Sequence, residues 1–214
     1  MKGLMRNNFY ATAASARVFA VFLLLFGLFA AAVTSQQLQI IYVLTSTAGF
    51  SFNALAAARR DAGCKWGKYK LTLPVRRAEI VRSLFWNQLL WLAAGLLTAG
   101  AEAWLSWLLH GCLFDLPRDL LTTFALGTST SLFLGAAFLP LFYLGGEERS
   151  EVSMTLSVLF AFALDFAIVS ACNQLLEPGQ SSALLGAAAL TACGVLLFGL
   201  SYPLTAAIFR RKEY

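Results

Sequence analysis

The sequence predicts an all-α integral membrane protein with six transmembrane helices, and three observations carry that prediction. The 214-residue chain is 59% hydrophobic and 13% charged, with a mean hydropathy of +0.70. A soluble domain runs near about 45–50% apolar and about 25% charged, so the bilayer must serve as solvent for much of this surface. Six apolar runs reach the roughly 20 residues needed to cross the hydrocarbon layer. With both termini on one side, that side takes every one of the sixteen Lys and Arg residues except Arg118. The positive-inside bias therefore makes both termini cytoplasmic and requires an even number of spans. The net charge of +5 speaks here of orientation, not of nucleic acid.

The elements follow in order. In residues 1–16, Met5, Phe9 and Ala13 recur at a spacing of four beside Leu4, with Lys2, Arg6 and Asn7 between them. This pattern suits a short N-terminal interfacial helix in the inner headgroup layer; a basic tail is the other reading. The first span covers about 18–34; no small-residue cleavage site ends it, so it reads as a span rather than a removed signal peptide. The second, about 38–57, follows after only "SQQ", which predicts a tight helical hairpin. The third covers about 83–109. The fourth, about 119–144, has the weakest apolar signal, because "GTSTS" at 127–131 is polar and Pro140 interrupts the run. The fifth covers about 152–172 and the sixth about 182–209. Ala183, Ala187 and Thr191 repeat at a spacing of four in the sixth, and Gly127 to Ser131 are small residues in the fourth. Such stripes let helices approach closely, either within the chain or at a dimer seam. No Pro/Gly/Ser-rich linker divides the chain, which reads as one permease-sized domain over 1–214.

Several chemistries are absent from the sequence. It has no G-x-x-x-x-G-K-[ST] nucleotide loop and no H-E-x-x-H pair. It also lacks a Gly-x-Ser-x-Gly elbow. His110, the only histidine, falls at the outer end of the third span and reads as an interfacial residue. Cys64, Cys112, Cys172 and Cys193 are scattered, and no spacing rule supports a Cys112–Cys172 disulfide or a metal cage. No catalytic residue, metal or cofactor is therefore expected in this chain. Ionisable residues inside spans are the functional suspects of a membrane protein. Glu102 falls late in the third span, where the outer interface is its expected place. Asp165 falls past the middle of the fifth, facing either a wet cavity that contacts cationic cargo or a hydrogen-bonding neighbour helix. With Asn53 they are the candidates for a translocation path. Two acids with no intramembrane Lys or Arg make a poor ion relay, which argues against an ion-coupled carrier.

The connection at 58–82 is the one sizeable loop. If its first part is helical, Trp66, Tyr69 and Leu73 share a face flanked by Lys65 and Lys68. In "TLP", Thr72 can cap and Pro74 suits the first turn of a new helix. That helix would carry Arg76, Arg77, Glu79 and Arg82 into the third span. The charges alone would serve to hold the loop inside and bind anionic lipid, at about 1 kcal/mol each. They do not account for the aromatic face or for the Pro.

"KWGKYKLTLPVRRAEIVRS" resembles the signature loop of small type-2 ABC transporter permeases, in particular the branch that exports phenol-soluble modulins and antimicrobial peptides. Asp61, Trp66, Tyr69, Leu73, Pro74, Arg77, Ile80 and Val81 occupy the matching positions. "MKGLMRNNFY", "PLFYLGGEERS" and "SYPLTAAIFRRKEY" are similar to the same family's opening, loop and tail, although Asn7 and Asn8 stand where that family usually has Lys-Asp. The resemblance implies six spans, a cytoplasmic coupling helix between spans two and three, and a homodimer of permeases bound to two separate ATPase subunits. ATP and Mg would be held by that partner. Arg59, Arg60, Asp61, Lys65, Trp66, Lys68, Tyr69, Leu73, Pro74 and Arg77 would form the ATPase contact. The implied activity is export of amphipathic or antimicrobial peptide cargo across the bacterial cytoplasmic membrane. The alternatives are a substrate-binding membrane subunit of a vitamin-uptake complex and a non-transport immunity or assembly factor.

Overall fold

A computed structural model describes residues 2–33, 35–63, 77–111, 117–146, 149–175 and 180–211. Among these residues there are six helices: α1 (Lys2–Ala32), α2 (Gln36–Gly63), α3 (Arg77–His110), α4 (Pro117–Gly145), α5 (Ser150–Leu175) and α6 (Gln180–Arg211). All six are long and apolar enough to cross a membrane, so the expected architecture holds.

The first difference lies at the N-terminus. Residues 2–16 are helical as expected, but they are not a separate element. They form the opening turns of the 31-residue α1, which at ~1.5 Å per residue is ~46 Å long and exceeds the ~30 Å hydrocarbon layer. No Pro falls in this stretch, and "SAR" at 15–17 does not stop a helix. The face that packs inward is Leu4, Asn8, Thr12 and Ala16. It lies one residue off the apolar stripe read from sequence, and Phe9 of that stripe stacks on Trp91 at 5.3 Å between ring centres. The third span likewise starts earlier than 83, at Arg77. Glu79 and Arg82 stand in its first turns, as the loop reading expected.

The second difference is α4. Its polar "GTSTS" and Pro140 set it apart in the sequence, yet it is the centre of the structure. Of its apolar stretch, 78% is buried, against 17% for α6. Its widest contact is with α6, followed by α5 and α2, while α2 also packs on α3 and α1. Phe133, Phe138 and Leu139 of α4 are fully buried among Phe85 of α3 and Phe198 and Phe209 of α6. The weak apolar signal expected of it does not hold, since its most apolar window is no less hydrophobic than those of α2 and α3. Gly127 permits the approach of α2, since a Cβ there would run into the Thr47 side chain.

Pro140 does not end α4. A proline has no N–H, so the carbonyl of Ala136, four residues earlier, loses its helix partner. Ser201 of α6 replaces it, its Oγ donating to the Ala136 carbonyl oxygen at 2.9 Å. Breakers persist in membrane helices when a neighbour restores the lost hydrogen bond in this way. Ser201→Ala should therefore destabilise the fold by about 1 kcal/mol. Pro140→Ala, which restores the N–H, should cancel most of that loss. Thermal unfolding of the two single variants and the double variant in detergent measures both effects, and additive losses would refute the pairing.

Candidate functional site

One face of α3 carries a polar stripe through the helical bundle. Ser83, Asn87, Trp91, Gly95, Thr98, Glu102 and Ser106 recur every three or four residues, which places them on one side of the helix. All are buried except Thr98, which is half-buried. From Ser83 to Ser106 the stripe spans ~35 Å by helix rise.

Each level of the stripe meets a different neighbour. Near the α3 start, Asn8 Nδ2 donates to Ser83 Oγ at 3.0 Å, and Asn87 Nδ2 donates to Thr12 Oγ1 at 3.1 Å, tying α1 to α3. One residue on, Gln88 Nε2 donates to the Ser131 carbonyl of α4 at 3.2 Å. The Ser131 hydroxyl meets that of Ser51 on α2. Trp91 is sandwiched between the rings of Phe9 and Phe50. At Gly95 the backbones of α2 and α3 nearly touch, and Ser46 Oγ lies 2.7 Å from the Gly95 carbonyl and 2.6 Å from Thr98 Oγ1. Further along, Gln39 Nε2 donates to Ser106 Oγ. At the end of the helix, His110 Nε2 lies 2.9 Å from the Ala31 carbonyl of α1, at the hairpin end of the bundle.

The Glu102 side chain is turned into the bundle and 5% exposed. The cause is register: it shares its face with Thr98 and Ser106, which both engage α2. Neither carboxylate oxygen finds a hydrogen-bond partner among the described residues.

Asp165 is held differently. Ser129 Oγ and Thr130 Oγ1 of α4 lie 2.6 Å from its two carboxylate oxygens. Each hydroxyl also lies within reach of the Leu126 carbonyl, and having one proton apiece, each can serve only one acceptor at a time. Of the two sequence readings of Asp165, this geometry is that of a helix-to-helix hydrogen bond. Asn53 is half-buried, and its Nδ2 donates to the Gly49 carbonyl of its own helix at 2.9 Å.

The three path candidates do not converge. Phe50 and Trp91 stack, which puts Asn53 at the Trp91 end of the stripe. Glu102 stands about eleven residues further along α3, ~16 Å by helix rise, and Asp165 faces α4. The stripe itself was missed by a search for charged residues, although its signal was present as Ser, Asn, Thr and Glu repeating at helical spacing in an apolar span.

Of the expected ATPase contacts, Lys65, Trp66, Lys68, Tyr69, Leu73 and Pro74 lie outside the described residues, as does the side chain of Arg77. Cys64 and Cys112 lie outside them too. Arg59 is engaged within the chain, its Nη2 2.9 Å from Glu151 Oε1 at the start of α5. This pair is largely exposed, so it contributes at most about 1 kcal/mol. Arg60 Nη2 donates to Ser15 Oγ at 2.8 Å, and Asp61 falls on the last turn of α2. The Ala183–Ala187–Thr191 stripe stays half-buried, with the Thr191 hydroxyl bonded to the Ala187 carbonyl of its own helix at 2.9 Å. The face of α6 that packs inward is instead Leu190, Gly194, Phe198, Ser201, Thr205 and Phe209. Between α4, α5 and α6 runs an open groove of about 730 Å³, lined by Pro140, Leu144, Leu156, Phe160, Leu200 and other mostly apolar side chains; Ser201 is the polar residue of this lining, and its hydroxyl proton is given to the Ala136 carbonyl.

A family model described as ABC-2 family transporter protein matches residues 3–210, nearly the whole chain. No curated protein and no solved structure matches it.

Proposed function

Since the chain belongs to the ABC-2 family of transporter proteins, we propose that it is the permease of an exporter that moves amphipathic or antimicrobial peptides outward across the bacterial cytoplasmic membrane. The coarser part of this reading is the family's own: a multi-pass membrane subunit of an ABC transporter, with an ABC ATPase as partner. The observation that carries the proposal is the family match along almost the full length of a six-helix chain. These 214 residues contain no nucleotide-binding loop, and in this reading ATP and Mg are bound by the ATPase partner.

The finer claims rest on sequence. Lys and Arg concentrated on one side make both termini cytoplasmic, and place the 58–82 segment where an ATPase would meet it. In that segment Trp66, Tyr69 and Leu73 would seat in a groove of the partner, since large aromatics are the usual anchors of an interface and rim charges mainly steer. Closure of two ATPase subunits would then move α2 and α3 together, because the segment joins them directly. Two copies of this chain would enclose the path. The sequence leaves only short outer connections, about 110–118 and 173–181, with no external domain to receive cargo from a binding protein, and this supports export. The vitamin-uptake and immunity-factor alternatives find no observation in their favour.

Purification of the chain with its ATPase, followed by ATP hydrolysis and ATP-driven peptide uptake into inverted vesicles, tests the reading. Peptide-stimulated hydrolysis with peptide accumulation is the expected result; a complex that turns over ATP with no response to any peptide would sink the peptide assignment. Trp66→Ala should weaken ATPase binding by about 2 kcal/mol, roughly thirtyfold, with membrane insertion intact. Undiminished coupling in that variant would remove the 58–82 segment from the mechanism.

A further inference from the structure

The two buried carboxylates are in opposite states. Asp165 has a hydroxyl on each oxygen; Glu102 has nothing on either among the described residues. A buried carboxylate left without a partner is strongly destabilising in an apolar interior. Where such a group stays charged, its counter-charge has to come from outside the described residues.

The surroundings of Glu102 define that partner. Contacts on either side of it fix the register of the antiparallel α2 and α3. On one side, Gln39 meets Ser106; on the other, Ser46 meets Thr98 at 2.6 Å. Tyr42 lies between Gln39 and Ser46 on the same face of α2, and Glu102 lies between Thr98 and Ser106 on the same face of α3. Tyr42 and Glu102 therefore stand at one level, facing each other. Behind Tyr42, the ring of Phe26 on α1 is 5.7 Å away between centres, and Gly27 leaves room for the Tyr42 ring, which a Cβ would approach to 3.0 Å. The surroundings of the Glu102 carboxylate thus include the Tyr42 ring, backed by Phe26, and the amide and hydroxyl of Gln39 and Ser106 one turn further along.

We propose that Glu102, with Tyr42, forms a binding site for a primary alkylammonium group. The carboxylate supplies the counter-charge. The Tyr42 ring, held from behind by Phe26, attracts a cation through its quadrupole, and the Gln39 and Ser106 oxygens can accept the remaining N–H bonds, which a quaternary choline headgroup lacks. An anion would meet like charge, and a neutral alkyl group would leave the carboxylate unpaired. In the exporter reading, on which the source of the amine rests, the group is a lysine side chain or N-terminus of the cargo. A phosphatidylethanolamine headgroup carries the same chemistry.

The test uses the full chain in phosphatidylcholine nanodiscs and, separately, the complex with its ATPase. The probes are a radiolabelled amphipathic peptide of leucine and lysine, and the same peptide with glutamate at each lysine. The wild-type chain should retain the lysine peptide far better than the glutamate peptide. Glu102→Gln should weaken lysine-peptide binding by about thirtyfold and abolish the preference. Glu102→Asp should recover part of it, and circular dichroism should show both variants folded. Replacing half of the phosphatidylcholine by phosphatidylethanolamine separates the two sources: lower retention means the headgroup enters the same site, and unchanged retention means that only the cargo does. Equal binding of the two peptides by the wild-type chain, no binding of either, or an unaltered preference in Glu102→Gln would each overturn the site. Hydrolysis by the complex keeps the two readings apart. Stimulation by peptide that is the same in wild type and Glu102→Gln leaves transport standing without the site. Charge-selective binding with no stimulation leaves the site standing without peptide transport.

Discussion

Gly95→Ala should destabilise the bundle by about 2 kcal/mol, although it adds a single methyl group to a helix. A Cβ at Gly95 would stand 2.8 Å from the Ser46 carbonyl oxygen and 2.9 Å from the Thr47 Cα. Both are backbone atoms, and backbone cannot rotate aside as a side chain can. α2 and α3 would have to move apart, which also strains the Ser46 hydrogen bond to the Gly95 carbonyl. Alanine is the better helix former by about 1 kcal/mol, so propensity alone predicts the opposite sign. Gly199→Ala on α6 isolates that term, because a Cβ there meets nothing within 4 Å. It should leave stability unchanged or raise it by up to about 1 kcal/mol. Unfolding of both variants in detergent, followed by intrinsic fluorescence, decides the matter; equal shifts of one sign would show that α2 and α3 are not in backbone contact at this level.

Phe133→Ala should lower stability by about 3 kcal/mol. Phe133 is fully buried near the centre of α4, in the same core cluster as Phe85 and Phe198. In a bilayer the transfer part of such a loss shrinks, since lipid tails are as apolar as the protein interior. The cavity and its lost dispersion contacts remain. Phe166→Ala on α5 provides the contrast. That ring is 76% exposed, in a span where exposure means contact with lipid, so removing it should change stability by less than about 0.5 kcal/mol. A cost at Phe166 as large as that at Phe133 would place a protein neighbour on that face of α5.

These two sites show where sequence reasoning stopped. Gly95 and Gly199 are both glycines in apolar helices, and nothing local separates them. Only the approach of α2 makes one indispensable and leaves the other free. Phe133 and Phe166 are likewise equivalent to a hydropathy scale. Glu102 and Asp165 read alike as intramembrane acids. Helix register separates them, since Ser129 and Thr130 of α4 face Asp165 and neither oxygen of Glu102 meets a partner among the described residues.

By itself the sequence determined the class and the number of helices. Those follow from transfer free energy, which adds up residue by residue along the chain. It also carried the loop that resembles the type-2 permeases. The tertiary structure alone decided that α4, the helix interrupted by "GTSTS" and Pro140, lies at the centre, that residues 2–16 continue into α1, and that the polar residues of α3 form one stripe facing two neighbours, α1 and α2. A polar residue turned toward another helix and the same residue turned toward lipid have identical hydropathy. Their energies differ by whether a hydrogen-bond partner stands opposite, and that depends on packing between segments far apart in the chain.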